Sequence, residues 1–179
     1  MFINQKIIKF FIFLFCFSIF SSISQTNEDV PLNNIAINET PRPISSLIFV
    51  DFLDNQIDLK DYEGKLMVIN FWAIWCEPCK REMSSLDNLY GDKNFKNLEI
   101  FSVNIEQPNK LKTKKFFTDL NIKNLEIFFD DKLNFVKKFK LRGIPTTILI
   151  NKKGEEFARI IGEVNFEDKK FLKWLQKYD

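Results

Sequence analysis

The sequence contains no histidine, and that absence removes a large share of catalytic chemistry. Histidine triads, histidine-assisted cysteine proteases and most zinc or copper sites all need an imidazole. Cysteine is nearly as scarce, with 3 in 179 residues, too few for a disulfide-stapled scaffold. Glycine (5) and proline (6) are also sparse, which excludes collagen-like and low-complexity architectures. Neither sign of charge dominates: 26 Lys and Arg stand against 24 Asp and Glu, a formal net charge of +2. That surplus matches Lys6 and Lys9 near the N-terminus, so the rest of the chain is close to neutral. Nothing there demands a nucleic-acid partner, which needs a concentrated basic face. At 179 residues the chain is nonetheless long enough for one domain with its own core.

Long apolar runs are missing except over residues 10–20, which follow Lys6 and Lys9 and precede Ser22, Ile23 and Ser24. A basic start, an apolar stretch of about 7–15 residues and small residues at a cleavage point describe a secretory signal peptide. A membrane-spanning helix needs about 20 apolar residues. Residues 1–24 are therefore read as a signal peptide. The alternative is an uncleaved signal anchor holding the protein to the inner membrane, since Ile7 and Ile8 extend the run if Lys9 snorkels. Cys16 follows Leu14 and Phe15, not the small residues of a lipid-attachment site, and reads as a hydrophobe. Cleavage would leave Cys76 and Cys79 as the only thiols of a periplasmic or otherwise extracytoplasmic protein.

Residues 25–43 are polar, proline-containing and weakly patterned, and read as a linker ahead of a single domain over 44–179. Two short apolar segments, 46–52 and 56–59, flank Leu53-Asp54-Asn55 and predict a hairpin. Residues 66–71 read as a buried strand. A helix follows, with Cys79, Met83, Leu86 and Tyr90 on one face. Further strands are predicted at 98–105, 126–129, 146–150 and 156–161. Helical segments are predicted at 108–120 and 133–139, and from Asn165 onward to the end. This alternation argues an α/β domain with a largely parallel core and an antiparallel edge.

Chemistry concentrates in Trp75-Cys76-Glu77-Pro78-Cys79, where a strand hands over to a helix. The positive end of the helix dipole favours a thiolate there, the reactive form of cysteine. An inert structural disulfide is the bland alternative, but closing so small a loop removes little denatured-state entropy. A zinc site would need two more ligands from a chain without histidine.

The stretch Val68-Ile69-Asn70-Phe71-Trp72-Ala73-Ile74-Trp75-Cys76-Glu77-Pro78-Cys79-Lys80-Arg81-Glu82-Met83 resembles the thioredoxin superfamily, and more narrowly its exported TlpA/ResA-like branch. Gly143-Ile144-Pro145-Thr146-Thr147 is similar to that superfamily's cis-proline loop. The resemblance spans about residues 44–178 and departs at Ser84, where the branch often carries proline. It implies a thioredoxin-like α/β fold, a central mixed sheet flanked by helices with an N-terminal β-hairpin extension. Within that fold, Cys76 at the exposed helix start is expected to be the attacking nucleophile. Cys79, one turn in, is expected to resolve the mixed disulfide.

Other site residues follow from the same resemblance. Glu82, three residues after Cys79, stands where an acid is implicated in the branch's redox chemistry; an ordinary surface glutamate is the alternative. Asn70 replaces a buried aspartate of cytosolic thioredoxins. Ile144 and Pro145, with Trp75, Glu77 and Pro78, are candidate substrate contacts, the Ile144 backbone pairing with an extended client segment. Trp72 reads as core. Glu77 beside Cys76 disfavours the thiolate, and with it the reduced form, which points to a reductant.

The implied activity is protein-disulfide reduction, serving cytochrome c maturation or copper-centre assembly. The expected partners are disulfide-bearing clients such as apocytochrome c or copper-assembly proteins, and a membrane thiol-reductant donor. No cofactor and no metal are implied. A redoxin-type thiol peroxidase is one alternative, though Ala73 stands where such loops carry threonine. A metallochaperone or other binding module is another. The basic run from Lys137 to Arg142 reads as a solvated helix face, with steering of an acidic partner as the second reading.

Overall fold

The computed structural model describes residues 32–130 and 132–179. The signal-like segment and Cys16 lie outside the described residues. Eight strands form one sheet: β1 (Ile35–Pro43), β2 (Ile48–Asp51), β3 (Gln56–Asp58), β4 (Leu66–Trp72), β5 (Leu98–Asn104), β6 (Ile127–Phe129), β7 (Thr146–Ile150) and β8 (Glu155–Ile161). Their order is β1-β8-β7-β4-β5-β6-β2-β3. The helices are α1 (Glu77–Tyr90), α2 (Lys110–Asp119), α3 (Asn134–Lys138) and α4 (Lys169–Leu175).

Strand β4 is buried at every position, as expected of a strand covered on both faces. Its side chains alternate between two apolar clusters. Leu66, Val68 and Trp72 pack with Met83 and Leu86 of α1. Met67, Ile69 and Phe71 pack with Phe135 of α3 and Phe139 just beyond it. Phe49 meets Phe101, Phe128 and Phe135 edge-on at 5.1–5.3 Å, the geometry that aromatic quadrupoles favour. Phe49, Phe71, Phe101, Phe128, Phe135 and Phe139 all belong to this layer.

Parallel pairing is confined to β4, β5 and β6, where α1 and α2 supply the crossovers that parallel neighbours require. The five remaining pairings are antiparallel. The sheet is thus mixed, and less parallel than the alternation of predicted elements suggested. Hairpins at 52–55 and 151–154 reverse β3 against β2 and β8 against β7, and β4 pairs antiparallel with β7. The predicted β2–β3 hairpin is present, its turn closed by Asp51 Oδ1 accepting from Leu53 N and Asn55 N, both at 2.8 Å. It joins the main sheet through β2 and β6.

The expectation of a linker over 25–43 needs correction for its second half, because Ile35–Pro43 is a strand paired with β8. Ile35 is buried and Ile37 half-buried, while Ala36, Glu39 and Thr40 are exposed. An edge strand needs only one partner and tolerates polar residues and proline. The pairing register slips between Ile37 and Arg42. Among the described residues no helix is long and apolar enough to cross a membrane.

Candidate active site

Strand β4 ends at Trp72, which is fully buried and stacks on Phe116 with ring centroids 4.8 Å apart. The chain then turns through 73–75. Cys76 N donates to Ala73 O at 3.1 Å, and Ile74 N donates to Glu106 Oε2 at 2.6 Å. Glu106 is in turn held by its own N–H donating to Asn104 Oδ1 at 2.8 Å. Glu106 therefore braces the loop in front of the cysteines. No spacing pattern in the sequence flags it, because the contact is made 32 residues away.

Cys76 is the N-cap of α1, and its Sγ accepts from Cys79 N at 3.3 Å. The two cysteines form a disulfide, with Cα atoms 5.3 Å apart, inside the range a disulfide normally spans. Pro78 occupies the first turn, where a missing N–H costs nothing. Cys76 was expected at an exposed position, yet in the disulfide it is only 3% exposed; Cys79 is 0% exposed. The loop wraps the first sulfur closely, and the residual access lies on Cys76. Glu77 is exposed beside it, and Trp75 projects into solvent at 71% exposure.

Glu82 lies on the buried side of α1, one turn beyond Cys79, and is 2% exposed. It is not a surface glutamate. Asn70 Nδ2 donates to its Oε1 at 2.8 Å, and Val164 N donates to its Oε2 at 3.0 Å. Burial pushes the carboxyl up to about 7 despite these two donors, and the neighbouring Glu163 charge adds to the rise. Desolvation penalises the ionised form more than the donors relieve it. Asn70 Nδ2 also donates to Thr147 Oγ1 at 3.0 Å, which links the acid to β7. Arg81 clamps Glu163 through Nε (3.0 Å) and Nη2 (2.5 Å), tying α1 to the loop that carries Val164.

Pro145 is buried and the Ile144–Pro145 bond is cis. Thr146 pairs with Phe71 and Thr147 with Asn70, so the cis-proline loop sits at the end of the sheet from which β4 leads to Cys76. Ile144 is half-buried and packs against both apolar clusters. The fold thus gathers the cysteines, Glu82 and the cis-proline loop at one end of the sheet. Trp75 and Glu77 stand outside on the solvent side.

A poised thiol pair with an acid titrating near neutrality is equipped for thiol–disulfide exchange. The AhpC/TSA family profile matches residues 44–155. Thiol-disulfide oxidoreductase ResA of Halalkalibacterium halodurans is 36% identical over 110 residues, 62% of this chain and 61% of that protein. ResA of Geobacillus kaustophilus is 34% identical over 121 residues, 68% of each. The chain thus spans about two thirds of the length of these relatives. Two solved structures share the fold. StoA from Bacillus subtilis has a TM-score of 0.60 and 23% identity, covering 75% of this chain and 96% of that one. A DsbF homologue from Corynebacterium diphtheriae has a TM-score of 0.68 and 21% identity, covering 80% and 92%.

Proposed function

Since the chain belongs to the AhpC/TSA family of the thioredoxin superfamily, we propose that it is an exported thiol:disulfide oxidoreductase that reduces disulfides in other extracytoplasmic proteins. The observation that carries this reading is the Cys76–Cys79 disulfide at the N-terminus of α1. In the reduced protein the Cys76 thiolate attacks one sulfur of a client disulfide. The client's S–S bond breaks, a mixed disulfide forms, and the client's other sulfur leaves as thiolate. Cys79 then attacks Cys76 Sγ, the mixed disulfide breaks, and the client departs with both sulfurs reduced. The protein is left oxidised by two electrons, its Cys76–Cys79 bond re-formed.

Glu82 is the acceptor for the Cys79 proton in that second step. Its carboxyl, raised to about 7, exchanges a proton readily at neutral pH, which suits a general base. In this reading Trp75, Glu77, Pro78 and the Ile144–Pro145 loop meet the client, the Ile144 backbone pairing with an extended client segment. Glu77 opposes the thiolate and favours the oxidised pair, so electrons flow from this protein to the client. A thiol donor in the membrane recharges it. Clients with closely spaced cysteine pairs, as in cytochrome c maturation or copper-centre assembly, suit this direction. The N-terminal pattern over residues 1–24 supports an extracytoplasmic location, with the signal cleaved or kept as an anchor.

Cys79→Ser tests the reading directly. The variant cannot resolve its mixed disulfide, so clients should remain bound to Cys76 and be identified by mass. Equilibration of the wild-type pair in glutathione buffers should give a potential on the reducing side, near that of thioredoxin (about −270 mV). A potential near that of a strong oxidant (about −120 mV) would reverse the assigned direction. Peroxide consumption that survives Cys79→Ser would replace disulfide reduction with peroxidase chemistry.

A further inference from the structure

The basic run that precedes the cis-proline loop acquires partners only in three dimensions. Lys138, Lys140 and Arg142 line a cavity of about 550 Å³ together with Arg42 of β1 and Arg159 of β8. The one acidic residue in the lining, Glu156, is already engaged by Arg159 through Nε at 2.8 Å and Nη2 at 2.6 Å. Arg159 Nη1 also donates to Phe139 O at 3.1 Å, which fixes that guanidinium in place. Arg42, Lys138, Lys140 and Arg142 are exposed, and among the described residues none of them forms an ion pair. Like charges gathered in a concavity repel one another and focus a positive potential into it. An anionic occupant relieves that repulsion.

The position of the cavity says what kind of occupant. Gly143 and Thr146, which bracket the Ile144–Pro145 bond, belong to its wall. The Arg159–Phe139 contact places it on the sheet face covered by α3, whereas Cys79 and Glu82 pack on the α1 face. It is therefore separate from the cysteine pair, and the cis-proline loop forms part of its wall. Its cations come from three segments and are interleaved with apolar Phe139, Leu141 and Ile161, the last 60% exposed. A compact anion would meet few of these groups. Lys140 even occupies a left-handed turn position, φ 51°, where glycine is preferred after a helix, so the charge is kept there at some cost to the turn.

We propose that this cavity docks an extended acidic segment, alternating acidic and apolar side chains, of the protein whose disulfide the cysteine pair exchanges. The identity of that partner rests on the oxidoreductase reading. The charge complementarity of the cavity does not.

The test uses a labelled, cysteine-free peptide alternating Glu and Val, alongside its Gln-for-Glu counterpart. Binding is read by fluorescence anisotropy on the full chain and on the Arg42→Gln/Lys140→Gln/Arg142→Gln variant. The acidic peptide should bind at least about tenfold more tightly than the neutral one at low ionic strength, as electrostatic complementarity requires. That preference should vanish near 1 M salt, where screening acts within about 3 Å, and should be absent from the triple variant. Should that variant not fold, Arg142→Gln and the salt series on the wild-type chain carry the same comparison. Equal binding of the two peptides, or a preference that survives in the variant, overturns the proposal. So does displacement of the peptide by equimolar inorganic phosphate, which would make this a small-anion site. Variant-sensitive binding to phosphatidylglycerol vesicles in place of the peptide would make it a membrane contact. Because no thiol takes part, a negative result here is distinct from failure of Cys79→Ser trapping.

Discussion

Glu82 shows at the scale of one residue how burial creates a reactive group. An exposed glutamate ionises near 4.5, whereas this one is held up to about 7, chiefly by desolvation. Between those values the folded chain binds a proton that the unfolded chain has lost. Stability is therefore full below about pH 4.5, falls as pH rises through the window, and above pH 7 is lower by at most roughly 3 kcal/mol. Glu82→Gln removes that dependence. Relative to wild type, the variant should gain stability in urea unfolding between about pH 4 and pH 8.5, and its exchange rate should lose the inflection near 7. An unchanged pH profile would take Glu82 out of the proton path. Asn70 belongs to the same unit, since its amide donates to both Glu82 and Thr147.

Among the elements, two connecting segments are held by buried carboxylates, a role that hydrophobic periodicity cannot reveal. Asp87 sits on α1, 5% exposed, and accepts from Lys123 N (3.1 Å), Asn124 N (2.7 Å) and Leu125 N (2.9 Å). It thereby pins the segment that leads into β6. Asp130 likewise accepts from Asn134 N, Phe135 N and Val136 N at the start of α3. Both look in sequence like ordinary acidic residues, because the N–H groups they satisfy are contributed by other turns. Asp87→Ala strands three backbone donors, so it should cost about 3 kcal/mol. The check is the denaturant midpoint at unchanged slope. The cysteine loop should respond less, since Glu106 and the N-cap of α1 hold it independently.

For the whole molecule, the decisive feature is the sheet edge that β1 covers. Removing residues 32–43 would uncover β8 and take Ile35 out of the core, a loss of at least about 2 kcal/mol. The bared strand would also be a template for intermolecular pairing. A lower unfolding midpoint together with concentration-dependent aggregation is the expected outcome. An unaltered midpoint would return this segment to the status of a linker. The same deletion removes Arg42 from the basic cavity, so edge protection and partner docking meet on one strand.

Local chemistry and periodicity made much of this protein legible in its sequence. The Cys-Glu-Pro-Cys spacing at a strand-to-helix junction marks the redox pair, because helix geometry alone brings residues three apart together. The strands at 66–71 and 146–150 show as short, mostly apolar runs, and 98–105 by its alternation around Ile100, Phe101 and Val103, patterns set by the two-residue period of a strand. Only the tertiary structure decided what depends on distant partners. It made β1 a strand by giving it β8 to pair with, and it left Cys76 only 3% exposed at the start of α1. It turned Glu82 from one glutamate among many into an acid near neutrality, because desolvation is a property of surroundings and not of a residue. It also closed a scattered set of lysines and arginines into one cavity, a juxtaposition that no linear spacing encodes.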